Sequence, residues 1–445
     1  MIDQHLAQFA LQIGVENVLI GDEAKPYLVD WTKRYSGEAI CVLKPANVRE
    51  VSAILKYCNA NSIPVIPQGG NTGLVHGSVP GETKSGSLPV VLSMLRFNEL
   101  NTVNRLDRSV VVGAGVTIKD LATHVSKFGF TYGVDLAARD SATIGGTVAT
   151  DAGGIRVVHY GTTKAQVLGV EAVLADGAII DSLGSTAKDG AGYDFPSWLI
   201  GSEGTLAVIT RVRVRVKNPL PNAHTYFVGL NKFSEASELI AKCFLEQKRV
   251  LAAEAIDEAS FELVCKFLDL SKPISDYPVI LLLETDSEVD LSAFTFVKSQ
   301  SAKESHEFWA RRERLGEAVG SLGIIHKADV GIPPENLDEF IAEFHIEVNA
   351  LSAVKQTLVY GHIAECNLHL EIIGPAATDV SAESMTYKLV AAHGGTVASE
   401  HGVGRAKCEF LSLVRSDDYL QTIKLLKKTL DPKSILNPGA VIALD

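Results

Sequence analysis

The sequence predicts an α+β protein of more than one domain, and three observations carry that prediction. The chain has 445 residues, roughly three domain lengths at ~150 residues each. Its first half sets short apolar strands between glycine-rich loops, without the strand–helix–strand rhythm of a doubly wound sheet. Beyond Asn218 the texture changes to longer helical segments interleaved with strands.

Taken in order, Leu6, Phe9 and Ile13 have helical spacing and predict a surface helix at the start. Strands are expected at 39–42, 65–67, 90–92, 110–112, 170–174 and 207–210, with helices at 48–59 and 118–128. The run RVRVRVK at 211–217 alternates strictly and reads as a strand with one arginine face, solvated or else anion-binding. NPLP at 218–221 breaks the pattern and is the expected main boundary. After it, helices at 234–248 and 258–268 alternate with strands at 279–284 and 357–360. The segment from Asp417 to Asp445 reads as a helix and then LDPKSILNPG, an irregular tail that persists only if docked.

Composition narrows the function classes. Apolar residues make up 46% and charged residues 21%, ordinary globular usage that excludes a disordered chain or a coiled coil. Forty-one Lys and Arg against 53 Asp and Glu leave a net charge of -12, which argues against nucleic acid or an anionic membrane as the main partner. An anionic small molecule stays open, because a basic pocket can sit in an acidic whole. Cysteines at 41, 58, 243, 265, 366 and 408 are scattered, with no CxxC, and read as reduced thiols. No secretory leader and no run of about 18 uncharged apolar residues is visible, so a cytoplasmic protein without a membrane span is expected.

Two glycine runs ask for a phosphate. PQGGNTGLVHGSVPG, 67–81, places five glycines among small polar residues, a composition that lets successive N–H groups turn toward one point. DSATIGGTVATDAGGIRVVHYG, 140–161, repeats the chemistry. A single such run is explained by turns; two of them between strands point to a dinucleotide. Neither fits GxGxxG after a strand or GxxxxGK[ST], which disfavours a Rossmann NAD fold and a P-loop NTPase.

A second constellation carries titratable groups. His362 and His369 flank the turn AECN between two alternating segments, and Ser399-Glu400-His401-Gly402 follows thirty residues on. Across an unbroken strand the odd separation would send the two rings to opposite faces, whereas a turn lets them converge. Two histidines and a glutamate form a divalent-metal set with open positions; plain polar turn histidines are the alternative.

PQGGNTG, IGGTVATDAGG, VEAVLADG at 170–177 and GSEGTLAVIT at 201–210, followed in order by GHIAECNLH, SEHGVGR and ILNPG, resemble the vanillyl-alcohol-oxidase and p-cresol-methylhydroxylase type of FAD-linked oxidoreductases. Within that family the chain is most similar to D-2-hydroxyglutarate and D-lactate dehydrogenases. The resemblance implies a two-subdomain FAD-binding domain, an α/β cap domain for substrate, and a C-terminal segment returning to the flavin. The implied division is an N-terminal helical segment 1–36, an FAD domain 37–217, a cap domain with the metal site 218–416, and a docking segment 417–445.

By that resemblance, non-covalent FAD is held by Pro67, Gln68, Gly69, Gly70, Asn71, Thr72, Gly73, Leu74, Gly77 and Ser78 around the diphosphate. Asp135, Ser141, Ile144, Gly145, Gly146, Ala149, Thr150, Gly153 and Gly154 would line the flavin and the rest of the diphosphate. Gly204, Ile209 at the adenine, and Asn437 in the tail complete the set. His362, His369 and Glu400 would hold Zn²⁺ or a similar divalent metal, His401 would be the general base, and Arg312 and Lys327 would grip substrate carboxylate. The implied reaction oxidises a D-2-hydroxy acid to the 2-oxo acid, with an acceptor such as a quinone or an electron-transfer flavoprotein; a homodimer is one assembly the sequence leaves open. A metal-independent oxidase using dioxygen, or a flavoprotein subunit without turnover, are the alternatives.

This sequence departs from the pattern at several places. His76 stands where glycine is usual and Asp151 where asparagine is commoner; Glu365 and Cys366 replace an Asp-Gly pair. Gly316 occupies a threonine position and Glu371 an asparagine position of the hydroxyglutarate enzymes. A carboxylate at 371 would repel a substrate carboxylate unless paired, with Lys327 or Arg312 as candidate partners. The basic residues 311, 312 and 314 otherwise read as a solvated helix face.

Overall fold

The computed structural model describes residues 2–81, 86–184, 186, 188–220 and 223–444. The chain divides into two compact units. The first comprises 1–153, 162–219 and 401–445; the second comprises 154–161 and 220–400.

The first unit is built on two four-stranded sheets. One joins β1 (Val18–Leu19), β2 (Val42–Leu43), β3 (Val65–Gln68) and β4 (Val90–Ser93) in the order β1-β2-β4-β3. The other joins β5 (Ser109–Gly113), β6 (Val167–Val173), β7 (Ile179–Asp181) and β8 (Val208–Arg215) in the order β5-β8-β6-β7. The strands β2 and β4 are buried along their whole length, and each sheet supports its own core. Phe9, Val51, Leu55, Val65 and Leu92 pack in one, Val112, Leu121, Ile144, Val170 and Val212 in the other. Asn47 caps the helix Val48–Asn61 through the N–H groups of Arg49 and Glu50, which fixes where that helix begins.

The arginine face of β8 is not simply solvated. Arg213 is only 4% exposed; its guanidinium pairs with Asp107 and donates to the carbonyls of Leu183, Gly184 and Thr186. Arg211 pairs with the buried Glu171 on β6. Strict alternation gave the strand correctly, but Arg213 is covered, and carboxylates hold the guanidinium groups of Arg211 and Arg213.

The tail is docked as the sequence requires. After the helix Asp417–Leu430, Leu436 pairs with Val65 as an extra parallel bridge beside β3, through Val65 N–H to Ile435 O at 2.7 Å and Asn437 N–H to Val65 O at 2.8 Å. The buried Lys427 ammonium is tied to Asp431 and donates to Thr205 O and Leu436 O, both at 2.7 Å.

The second unit is one seven-stranded antiparallel sheet. Its strands are β9 (His224–Leu230), β10 (Val250–Asp257), β11 (Val279–Thr285), β12 (Phe296–Lys298), β13 (Ile325–Gly331), β14 (Gln356–His362) and β15 (Asn367–Ile373), in the order β12-β9-β11-β10-β14-β15-β13. Register places Phe227, Leu282, Ile256, Leu358, Ile373 and Ile325 on one face, where they pack with Phe261, Phe308, Trp309 and Leu315 from the helices that follow β10 and β12. Ser301 caps the helix Ala302–Glu313 by accepting from Glu304 N–H at 3.2 Å. Contrary to a solvated basic face, Arg311 and Arg312 on this helix are buried, 4% and 8% exposed, and only the flanking Arg314 is open.

Candidate active site

The glycine runs of the first unit meet in space. A β-carbon on Gly70 would lie 1.8 Å from Ser141 O, and one on Gly69 2.3 Å from Thr143 Oγ1, so the loops cross at a separation only glycine permits. Thr143 also caps the helix Ile144–Thr150, whose first turn holds Gly145 and Gly146. Ser78 Oγ donates to Asn71 Oδ1 at 2.7 Å, and Gln68 Nε2 spans to Ser78 O, closing the first run on itself. Asn437 Nδ2 bonds Gly77 O at 2.9 Å and Glu203 O at 2.7 Å, which brings the tail to the same place.

None of the backbone N–H groups of residues 69–78 meets an acceptor among the described residues. Ten successive donors, in a loop with positive φ at Asn71 and His76, match the demands of a diphosphate. The residues present therefore fit FAD. In the second run the amides that open the helix are spent on other backbone carbonyls, Ile144 N–H on Val116 O and Gly145 N–H on Ala114 O, both at 2.8 Å. Its Ala149 carbonyl receives Glu203 N–H at 2.7 Å, and Gly204 lies against Pro67.

Three other expected residues are set by their own neighbours. Asp135 is in an ion pair with Arg139 at 3.0 Å. Ile209 is in β8, its backbone paired with Ala172. Gly154 falls on the other side of the division between the units. His76 is engaged: its ring stacks on Tyr35 at 4.6 Å, and Nε2 faces Pro80 O at 2.9 Å. Asp151 ends its helix in the left-handed region, and its Oδ1 accepts from Lys164 N–H at 2.8 Å.

Sequence reasoning passed over two residues here. Glu203, 8% exposed, accepts from Val403 N–H at 2.7 Å and Gly404 N–H at 2.8 Å, so it organises the turn after His401. Burial pushes its carboxyl up to about 7 against those donors and the nearby Lys407 and Arg405. Arg405 donates to Asn437 Oδ1, Pro438 O, His76 O and Val79 O, clamping tail and glycine loop together.

In the second unit a polar cluster continues the apolar sheet face. Glu254 on β10 pairs across to His362 on β14, and Tyr360 to His369 on β15. Asp329 on β13 stands opposite His369, with Lys327 opposite Glu371. The turn Ile363–Glu365 reverses the chain and Cys366 takes φ 56°, so His362 and His369 converge, their ring centroids 5.1 Å apart. Cys366 thus keeps the left-handed conformation usual for glycine there.

His362 Nε2 lies 3.4 Å from Glu400 Oε2, and one ligand atom each from His362, His369 and Glu400 fall within 4.8 Å of one another. Each histidine turns Nδ1 to a carboxylate: His362 to Glu254 Oε1 at 2.6 Å, His369 to Asp329 Oδ1 at 3.7 Å. His362 thereby turns Nε2 toward Glu400, the orientation metal-binding histidines adopt. Burial works to lower the His362 pKa, but Glu254 and Glu400 outweigh it and lift it to about 10. Two oriented imidazoles and a carboxylate fit a divalent cation. Asp329 Oδ2 also receives the N–H groups of Ser399 and Glu400, fixing the turn that presents Glu400. His401 is the next residue in the chain and begins the last segment of the first unit.

Arg312 Nε donates to Glu254 Oε2 at 2.6 Å, its guanidinium carbon 5.0 Å from the Tyr360 ring centre. Its terminal nitrogens make no hydrogen bond among the described residues. Lys327 lies 3.5 Å from Glu371, whose Oε1 also accepts from Tyr360 OH at 2.7 Å. Gly316 leaves open space where a β-carbon would stand. Glu254 and Asp329 were missed in the sequence, although each is a carboxylate set between apolar neighbours within a strand, the signal of a buried paired charge.

Residues 39–182 match the FAD binding domain family, and residues 220–441 match the C-terminal domain of FAD linked oxidases. D-2-hydroxyglutarate dehydrogenase, mitochondrial, from Bos taurus is 34% identical over 438 residues, covering 94% of this chain and 79% of its own length. This chain belongs to that FAD-linked oxidase family. The mitochondrial D-2-hydroxyglutarate dehydrogenase of Arabidopsis thaliana is 33% identical over 436 residues, 93% of this chain and 77% of the relative. Among solved structures, p-cresol methylhydroxylase with substrate bound superposes with a TM-score of 0.78 at 14% identity, covering 99% of this chain and 97% of that one. The α+β fold and the vanillyl-alcohol-oxidase type of FAD domain are therefore established. Both named relatives are mitochondrial, so they lend the cytoplasmic expectation no support. No helix among the described residues is long and apolar enough to cross a membrane.

Proposed function

We propose that this FAD-linked oxidoreductase oxidises a D-2-hydroxy acid to the 2-oxo acid, with a divalent cation at His362, His369 and Glu400. The observation that carries the reading is the pair of histidines whose Nδ1 atoms each face a carboxylate, in a cluster that also contains a buried arginine. Identity above 30% to D-2-hydroxyglutarate dehydrogenases over nearly the whole chain supports the substrate class.

When bound, FAD supplies a hydride acceptor, and a cation such as Zn²⁺ supplies a Lewis acid for the substrate hydroxyl. The chain's residues do the rest. Arg312, held through Nε by Glu254, offers its terminal nitrogens to the substrate carboxylate, a bidentate grip that fixes the 2-carbon. His401 takes the hydroxyl proton as general base. Residues 69–78 hold the diphosphate through backbone N–H groups, and Asn437 fastens the tail over them.

Turnover with an artificial dye acceptor and paired D and L enantiomers of 2-hydroxy acids tests the reading. The D acids should be oxidised and EDTA should abolish the rate. Rates indifferent to chelator and dependent on dioxygen would favour a metal-free oxidase instead.

A further inference from the structure

The chemistry around Lys327 differs from what a second substrate carboxylate needs. Lys327 and Glu371 occupy directly opposed positions of β13 and β15, and their charged ends lie 3.5 Å apart. Glu371 Oε1 also accepts from Tyr360, while Oε2 is buried and has no hydrogen-bond partner. The residue is 2% exposed, so the unpaired oxygen points into the protein and not to bulk water. Arg312 is likewise matched by a buried carboxylate, Glu254. Two cations against two carboxylates leave no surplus positive charge to receive a second anion. A carboxylate brought to Lys327 would also meet Glu371 at similar range, and like charges so placed repel strongly away from water. A buried carboxylate oxygen without a donor instead calls for an O–H or N–H.

We propose that Glu371 sets specificity, selecting a 2-hydroxy monocarboxylate whose far end carries a hydrogen-bond donor and excluding a 2-hydroxy dicarboxylate. This rests on the reaction proposed above. The donor bonds Glu371 Oε2, and Lys327, 3.5 Å from Oε1, holds that carboxylate in place.

Three acids of equal chain length test it on the FAD-loaded, metal-replete enzyme: D-2-hydroxyglutarate, D-2-hydroxypentanoate and D-2,5-dihydroxypentanoate. For the wild-type protein kcat/KM should be highest for the dihydroxy acid and about 100-fold lower for the dicarboxylate. Glu371→Gln, nearly isosteric, and Glu371→Asn should both raise kcat/KM on the dicarboxylate at least ~10-fold and lower it on the dihydroxy acid. Flavin content measured alongside separates this change of ratio from loss of fold. A wild-type preference for the dicarboxylate, unmoved by either substitution, overturns the proposal and leaves the reaction class standing. Failure of all three acids to reduce the flavin in every variant overturns both.

Discussion

The Glu254 carboxylate accepts a hydrogen bond from His362 Nδ1 at 2.6 Å, and its second oxygen receives Arg312 Nε at the same distance. One buried acid on β10 thus orients a candidate metal ligand and a candidate substrate clamp together. Such outer partners typically support metal affinity by 10–100-fold, roughly. Glu254→Gln should weaken zinc binding by about that factor and raise KM more than it lowers kcat, with FAD content unchanged. Calorimetric zinc titration checks it; wild-type affinity in the variant would make Glu254 purely structural.

His369→Ala removes one of the three candidate ligands without touching the glycine loops of the first unit. The variant should lose stoichiometric metal and turnover while retaining its yellow colour. Elemental analysis beside a flavin spectrum decides: loss of FAD with metal retained would contradict the assignment.

Gly70→Ala drives a β-carbon to within 1.8 Å of Ser141 O, so the crossing of the two glycine runs must open. The expected result is a protein that folds but purifies largely without flavin. Retention of FAD at wild-type affinity would show that this crossing does not shape the cofactor site.

Glu203 gives a dependence on pH. Its carboxyl is raised from 4.5 to about 7, so between those values the folded protein keeps a proton that the unfolded chain has released. The contribution to stability is complete below 4.5 and is lost as pH rises through about 7. The groups facing it are Lys407, Arg405 and the N–H groups of Val403 and Gly404. Glu203→Gln should remove a slope worth up to about 3 kcal/mol, read as urea midpoints across that range. An unchanged slope would refute the burial account.

Much of the fold was legible because local pattern and burial agree. The helix expected at 48–59 is Val48–Asn61, and the strand expected at 357–360 is Gln356–His362. The turn that lets His362 and His369 converge was also readable, since AECN interrupts the alternation. Strand β10 was not: VLAAEAID has no period of two, because both faces of a central strand are buried. With it went Glu254. The burial of the arginines at 213, 311 and 312 was not readable, because alternation and helix position report which way a side chain points, not what covers it.

Anaerobic mixing of the FAD-loaded protein with a D-2-hydroxy acid, read as bleaching of the flavin absorbance, tests the central claim most directly. The account predicts reduction by a D acid, abolished by a chelator, restored by zinc, and absent with the L enantiomer. Equal bleaching in chelated and zinc-loaded protein would contradict it, and His362, His369 and Glu400 would then be a structural cluster.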